Sequence, residues 1–379
     1  MKIIPYGRQE ITEEDIEAVA RTLRSDYLTQ GPAVGDFEKH FAEVVKAPFA
    51  LAVANGTAAL HLAALALGLK KGDKVLCTAN SFVASANCIL YAGADVEFVD
   101  IDPQHFCVSL PAIEAKLKAH PKGTFKGLVA VDFAGYPAVT REMKDLCDRH
   151  GLWILEDSCH ALGAHRGPSV VGSCEFSDIS IFSFHPVKHI ATGEGGMITT
   201  SSPELYKKLS LLRTHGITKD PAQMSQVDGP WYYEMQELGF NYRMPDILCS
   251  LGLSQMKRLG SNLQRRQKIA ETYQRELPQQ VFWTPVEKDV YHSYHLFTVQ
   301  TDRRKELFMH LREKGIHAQV HYIPIHTQPY YVARYGKGDF PVAENYYAKA
   351  LSLPMFHGLK EDEQGYVIDT VKAFFKRTP

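Results

Sequence analysis

The chain lacks any dominant sign of charge: 42 Lys and Arg stand against 43 Asp and Glu, a net charge of -1 in 379 residues. That excludes the broad basic surface of a nucleic-acid binder and the acidic tail of a solvating protein. Cysteine is sparse and unpatterned. The seven residues Cys77, Cys88, Cys107, Cys147, Cys159, Cys174 and Cys249 form an odd set with no C-x-x-C pair. Such usage argues against a disulfide framework or a zinc site, and for reduced thiols in a cytoplasmic protein that carries no metal. Long hydrophobic runs are missing as well. The stretch from Met1 to Arg8 has no apolar core, so no secretory signal is expected. Ala47 to Leu69 has no charged residue, but Asn55-Gly56 interrupts it. The helical remainder would span only about 20 Å against a membrane core of about 30 Å. Nor does the sequence contain G-x-G-x-x-G, H-E-x-x-H or G-x-S-x-G. Gly167 to Gly172 has phosphate-loop spacing, yet Ser173-Cys174 stands where the gripping Lys belongs. Nucleotide hydrolysis and dinucleotide redox chemistry lose support accordingly.

What is present reads as an ordinary globular protein, 45% hydrophobic and 22% charged, long enough at roughly 150 residues per domain for two or three domains. Thr12-Glu13-Glu14-Asp15 opens a helix whose apolar face carries Ile16, Val19, Ala20 and Leu23; Phe37, Phe41 and Val45 mark a second. Phe49 to Ala54 predicts a strand, and Asn55-Gly56-Thr57 a turn into an Ala/Leu-rich helix that ends at Gly68. Strands are then expected at Lys74–Cys77, Val96–Asp100, Leu128–Asp132, Leu152–Glu156, Ile179–Phe184 and Gly196–Thr200, with helices between most of them. This alternation predicts a mainly parallel sheet covered on both faces. Beyond about residue 240 the pattern changes to a helical stretch from Ile247 to Arg275. Strands at His295–Gln300 and His317–His321 flank a helix at Arg303–Lys314, and a last helix starts at Glu361.

Three features carry chemistry. The strand–turn–helix Ala50 to Leu60 places Gly56 and the free amides of a helix start where a phosphate ester can bind, although a plain βα turn would look the same. Glu156-Asp157-Ser158-Cys159-His160 follows an apolar strand, at the sheet end where ligands bind. A carboxylate there can hold a pyridine nitrogen protonated, or merely cap a helix. In the run Ser183-Phe184-His185-Pro186-Val187-Lys188, Lys188 sits between a β-rich stretch and Gly193-Glu194-Gly195-Gly196. A partly desolvated Lys has a lowered pKa and can form a Schiff base, whereas most lone lysines are surface residues. Together, phosphate cup, carboxylate and Lys are what pyridoxal 5′-phosphate requires.

Asn55-Gly56-Thr57-Ala58-Ala59-Leu60, Glu156-Asp157-Ser158-Cys159-His160-Ala161 and Ser183 to Lys188 with its glycine-rich sequel resemble the DegT/DnrJ/EryC1/StrS family of sugar-nucleotide aminotransferases. The likeness runs over almost the whole chain. It implies α/β architecture of PLP-dependent transferase fold type I, aspartate aminotransferase-like. A large PLP-binding domain would take residues 1–245 and a small C-terminal α+β domain residues 246–379. Val131 to Gly135, Trp231 to Met244 and Gln319 to Pro324 resemble the branch that makes pseudaminic acid. That branch aminates C4 of a UDP-linked 4-keto-6-deoxy-N-acetylhexosamine with L-glutamate as donor. The phosphate turn departs from it, reading Asn-Gly-Thr where that branch can carry Asn-Ser-Ala-Thr.

By the same resemblance, Lys188 would carry the cofactor and move the proton, and Asp157 would pair with the pyridinium. Gly56, Thr57 and Ser183 would bind phosphate, Phe82 would stack on the ring, and His160 would lie near the ring hydroxyl. In a homodimer with shared sites, Asn241 would reach the neighbouring subunit's phosphate and Arg243 a carboxylate or the sugar. Tyr6, Asp26, Tyr27, Leu28, Thr29, Asn55, Gln319, Val320, His321 and Tyr322 would contact the sugar nucleotide. The alternatives are an aminotransferase acting at C3 or C4 of a dTDP- or GDP-linked keto-sugar, and a non-catalytic PLP-binding regulator. A PLP-dependent sugar dehydratase, with His at the Lys position, is disfavoured by Lys188. No nucleic acid or membrane partner is expected.

Overall fold

A computed structural model describes residues 3–376; Met1 and Lys2, part of the N-terminal stretch read above, lie outside the described residues. The centre is a seven-stranded sheet of β1 (Phe49–Val53), β2 (Lys74–Thr78), β3 (Asp95–Val99), β4 (Gly127–Val131), β5 (Trp153–Asp157), β6 (Ile179–Ser183) and β7 (Gly196–Thr200). Its order is β1-β7-β6-β5-β4-β2-β3, and β7 runs antiparallel to both neighbours while the other pairs are parallel. The parallel strands are apolar nearly throughout because helices cover both faces. Val53, Thr78, Val131, Asp157 and Ser183, the C-terminal residues of five strands, therefore share one edge, and Gly196 at the start of β7 joins them.

Helices α1 (Glu13–Leu23), α2 (Pro32–Val45), α3 (Gly56–Ala66), α4 (Ala84–Tyr91), α5 (Leu110–Ala119), α6 (Arg141–His150) and α7 (Pro203–Arg213) accompany the sheet. The start of α1 is fixed by Asp15, whose carboxylate accepts from the Thr12 amide at 3.0 Å. The helical stretch from Ile247 to Arg275 is two helices, α8 (Asp246–Met256) and α9 (Leu259–Glu276), rather than one. At the break Arg258 leaves helical geometry (φ -104°, ψ 1°) and sends its guanidinium to the Thr12 hydroxyl and both oxygens of Asp15. Asp246, at the start of α8, accepts from the amides of Gly31 and Ala33 at 2.8 and 3.0 Å, capping α2.

The C-terminal part continues with β8 (Phe297–Gln300), α10 (Arg304–Glu313), α11 (Pro329–Tyr335), α12 (Pro341–Lys349), β9 (Ala350–Leu353) and α13 (Glu361–Lys376). Its core gathers Tyr273, Val299, Leu307, Leu351 and Val367. The expected strand at His317–His321 shrinks to Ile316–His317, which pairs in parallel with Ile4–Pro5 from the chain's beginning. The following residues turn away as a loop and reach the edge of the main sheet. Gly167 lies in a tight connection between His165–Arg166 and Ser169–Val170, a short antiparallel pair. No described helix is long and apolar enough to cross a membrane.

Candidate active site

A cavity of about 1070 Å³ opens at the carboxyl edge of the sheet. Its wall brings together Tyr6, Asn55, Gly56, Thr57, Phe82, Asp157, His160, Ser183, Lys188 and the loop Gln319-Val320-His321-Tyr322. Segments more than 300 residues apart in sequence thus meet around one Lys.

The phosphate-sized recess forms where β1 turns into α3. Asn55 caps the helix, its side chain accepting from the Ala58 amide at 2.8 Å. The amides of Gly56 and Thr57, at the first turn, have no intrahelical acceptors. A Cβ on Gly56 would stand 3.0 Å from Ser183 Cβ, and one on Gly196 would stand 2.7 Å from the Asn55 carbonyl. Glycine at both positions lets three backbone segments converge and leaves the Ser183 hydroxyl beside the helix start.

Asp157 closes the opposite end. It is 6% exposed and accepts from Ser85 Oγ at 2.6 Å, which in turn bonds Ser81 Oγ at 2.7 Å. The Cys159 amide reaches its other oxygen at 3.3 Å. Lys188 stands on the same cavity wall, within electrostatic reach of Asp157 and Cys159. Burial lowers its pKa below the usual ammonium range, opposed by Cys159 and Asp157. Phe82 is 56% exposed although it is a large apolar ring, because it faces the cavity. Its ring lies 6.1 Å from that of Tyr322.

His160 has one orientation that satisfies its neighbours. The Ala134 amide can only donate, and it does so to Nδ1 at 3.3 Å. The ring proton therefore sits on Nε2, which donates to Tyr322 Oη at 3.1 Å. Burial first, then Lys188, His321 and His189, push the pKa of His160 well below 6.5, so the ring is neutral. His321 is pushed down to about 3 by burial and Lys188, and its Nδ1 meets Ser352 Oγ at 2.8 Å. Burial likewise raises the Cys159 thiol and the Tyr322 phenol. The site consequently carries few mobile charges near Lys188.

Asp26, Tyr27, Leu28 and Thr29 are exposed and do not line this cavity; Asn241, also exposed, and Arg243 stand outside its wall too. Arg243 instead bridges Val53 at the sheet edge. Sequence reading missed Ser81, Ser85, His61, Tyr242 and His295, which all line or brace the cavity. Of these only Tyr242 lies in a segment singled out by resemblance, Trp231 to Met244. Only the position of Ser81 and Ser85, just after a strand that ends at the carboxyl edge, could have flagged them.

A glycine-lined helix start, a buried carboxylate and a Lys with a lowered pKa on the wall of one cavity fit pyridoxal 5′-phosphate. Together with the sheet order they define a PLP-dependent transferase of fold type I. Residues 9–372 match the DegT/DnrJ/EryC1/StrS aminotransferase family, and the chain belongs to it. It is a PLP-dependent sugar aminotransferase. The Bacillus subtilis spore coat polysaccharide biosynthesis protein SpsC is 37% identical over 98% of this chain and 97% of its own length. A Campylobacter jejuni UDP-4-amino-4,6-dideoxy-N-acetyl-beta-L-altrosamine transaminase is 35% identical over 99% of this chain and 98% of its own. Among solved structures, Helicobacter pylori PseC, an aminotransferase of pseudaminic acid biosynthesis, superposes with a TM-score of 0.90 at 31% identity, covering 100% of both chains. Spr1654 of Streptococcus pneumoniae in its PLP form gives 0.88 at 28% identity over 99% of each.

Proposed function

We propose that the chain transfers the amino group of L-glutamate to C4 of a UDP-linked 4-keto-6-deoxy-N-acetylhexosamine, UDP-2-acetamido-2,6-dideoxy-beta-L-arabino-hex-4-ulose, in pseudaminic acid biosynthesis. The observation that supports this best is the likeness to PseC over the full length of both chains. The cofactor supplies an aldehyde that carries nitrogen and a ring that takes up electrons. The remaining work falls to the chain's own residues. Lys188 holds the cofactor and then takes a proton from one carbon and returns it to another, which its lowered pKa favours at neutral pH. Asp157, braced by Ser85, accepts from the ring nitrogen and keeps it protonated. Gly56, Thr57 and Ser183 would hold phosphate, Phe82 would stack on the ring, and neutral His160, whose Nε2 proton goes to Tyr322 Oη, would lie near the ring oxygen.

Tyr6, Asn55 and the 319–322 loop line the side of the cavity left for the sugar nucleotide. Asp26 to Thr29, Asn241 and Arg243, all outside the wall, are placed by this reading at a homodimer interface, where each serves the neighbouring site. Amino transfer to another nucleotide-linked keto-sugar is the second reading, favoured by the 37% identity to a protein of spore coat polysaccharide synthesis. The test offers the purified, PLP-loaded chain a panel of UDP-, dTDP- and GDP-linked 3-keto and 4-keto sugars with glutamate, and measures 2-oxoglutarate. The UDP-4-keto-N-acetyl sugar should give the highest kcat/KM; preference for a dTDP or GDP sugar would replace this assignment with the second.

A further inference from the structure

Behind Asp157, on the opposite face of the sheet, two more carboxyl groups are buried. In the register of β4 and β5, Val131 pairs with Asp157 and Ala130 with Glu156. Val131 and Asp157 face the cavity, so Glu156 and Asp132, one residue along from each, face away together. Asp132 is fully buried and Glu156 is 6% exposed. Asp132 Oδ1 accepts from the Ala138 amide at 2.8 Å, while Oδ2 is buried without a partner, the equally unpartnered hydroxyl of Ser158 being its nearest neutral donor. Glu156 accepts from Ser177 at 3.0 Å and from Ser180. Two carboxylates cannot bond each other, since both only accept. A proton on one of them turns it into a donor and removes a buried charge.

Among the described residues, no cation is paired with either carboxyl. Arg166 shares a small cavity with Glu156, but its guanidinium bonds Tyr136 Oη at 2.7 Å and pairs with Asp289 at 3.5 Å. Asp157, Cys107 and Cys159 also act on or respond to Asp132, and none of them is cationic. Burial, then the charge of Glu156, moves the Asp132 carboxyl well above its ordinary pKa; burial also raises Glu156.

Asp132 has a second connection. Its bond to Ala138 closes a turn whose backbone is strained at Ala134, with φ at 60°. That residue donates its amide to His160 Nδ1, and the Asp132 amide donates to the Asp157 carbonyl at 3.1 Å. We propose that Asp132 and Glu156 hold one proton between them, and that Asp132 is thereby a positioning residue locking the turn that orients His160. The value of His160 to the cofactor rests on the reading above; the shared proton does not.

Infrared spectroscopy of the PLP-loaded chain in D2O near pH 7.5 tests the proton. The wild type should show a neutral-carboxyl stretch that disappears in both Asp132→Asn and Glu156→Gln. The absence of that band, or its survival in either variant, overturns the shared proton. The positioning role is read from the pH titration of the bound cofactor's visible absorbance. Asp132→Asn keeps the size and can donate to Glu156, so its midpoint should match the wild type. Asp132→Val should shift it by about one unit, the lower end of the effect of removing a group that orients a ligand. An Asn variant displaced by one unit, or a Val variant titrating as wild type, overturns the positioning. Should Asp132→Val fail to fold, the Asn and Gln variants still decide. A chain inactive on every keto-sugar would leave the infrared result unaffected.

Discussion

Lys188 joins two properties that seldom coincide: a wall position in a large cavity and an ammonium that burial destabilises. The same burial keeps His160 and His321 neutral, so no imidazolium competes with the amine for protons near pH 7. Lys188→Ala should retain the fold and still bind sugar nucleotide, while kcat for glutamate-driven amination falls by about 10²- to 10⁴-fold, the range of an acid–base group. Multiple turnover of keto-sugar by that variant would remove Lys188 from the mechanism. At this scale the sequence was informative wherever a residue sat in a motif. Asn55, Gly56, Thr57, Asp157, Ser183 and Lys188 all stand on the wall of one cavity. Ser85, which bonds Asp157, was invisible because one serine at the start of a short helix has no spacing that sets it apart.

The turn between β1 and α3 works because β7 passes close behind it. Gly196→Ala would put a methyl 2.7 Å from the Asn55 carbonyl, against backbone that cannot swing aside. We expect a loss of about 1–3 kcal/mol in chemical denaturation, typical of overpacking, and weaker PLP binding in an absorbance titration. A second joint fastens α1 to the α8–α9 break. Asp15 is fully buried; burial alone would raise its pKa, but bonds from Arg258, Ser254 and Thr12 hold it at about 2. Asp15→Ala leaves Arg258, 24% exposed, without its carboxylate, and should destabilise the chain by about 2–3 kcal/mol, below a fully buried pair. Elements showing a long period were legible: the seven main strands fall within a residue or two of expectation. The α8–α9 break was not, since Lys257-Arg258 contains no Gly or Pro and the helix is broken by a tertiary ion pair. The strand at His317–His321 failed for a related reason. Ile316 and His317 pair with Ile4–Pro5, Gln319 makes a single bridge to Ser352, and the residues that follow are drawn off to the cavity.

Across the whole molecule, the near balance of 42 basic and 43 acidic residues hides an uneven interior in which neutral histidines line the site. A buried imidazole whose pKa falls from 6.5 to about 3 binds its proton in the unfolded chain first. His321 and His292 both behave this way. Their stabilising effect is complete above about pH 6.5 and is lost as pH falls through the window toward 3, each by up to about 1.4 kcal/mol per pH unit. Urea midpoints should therefore decline steadily below pH 6.5, and His321→Gln should flatten that decline; a midpoint constant from pH 7 to 5 would contradict the neutral-histidine account. The molecule's closure was the least legible feature, because pairing Ile4–Pro5 with Ile316–His317 leaves no local signal in either segment. It nonetheless brings Tyr6 onto the wall of the cavity that Lys188 also lines. The central claim is tested most directly by incubating the PLP-loaded chain with L-[15N]glutamate and the UDP-4-keto sugar, then locating the label by NMR. A 15N–C4 bond in the product is the predicted result; label at C3, or an unlabelled sugar, would contradict it.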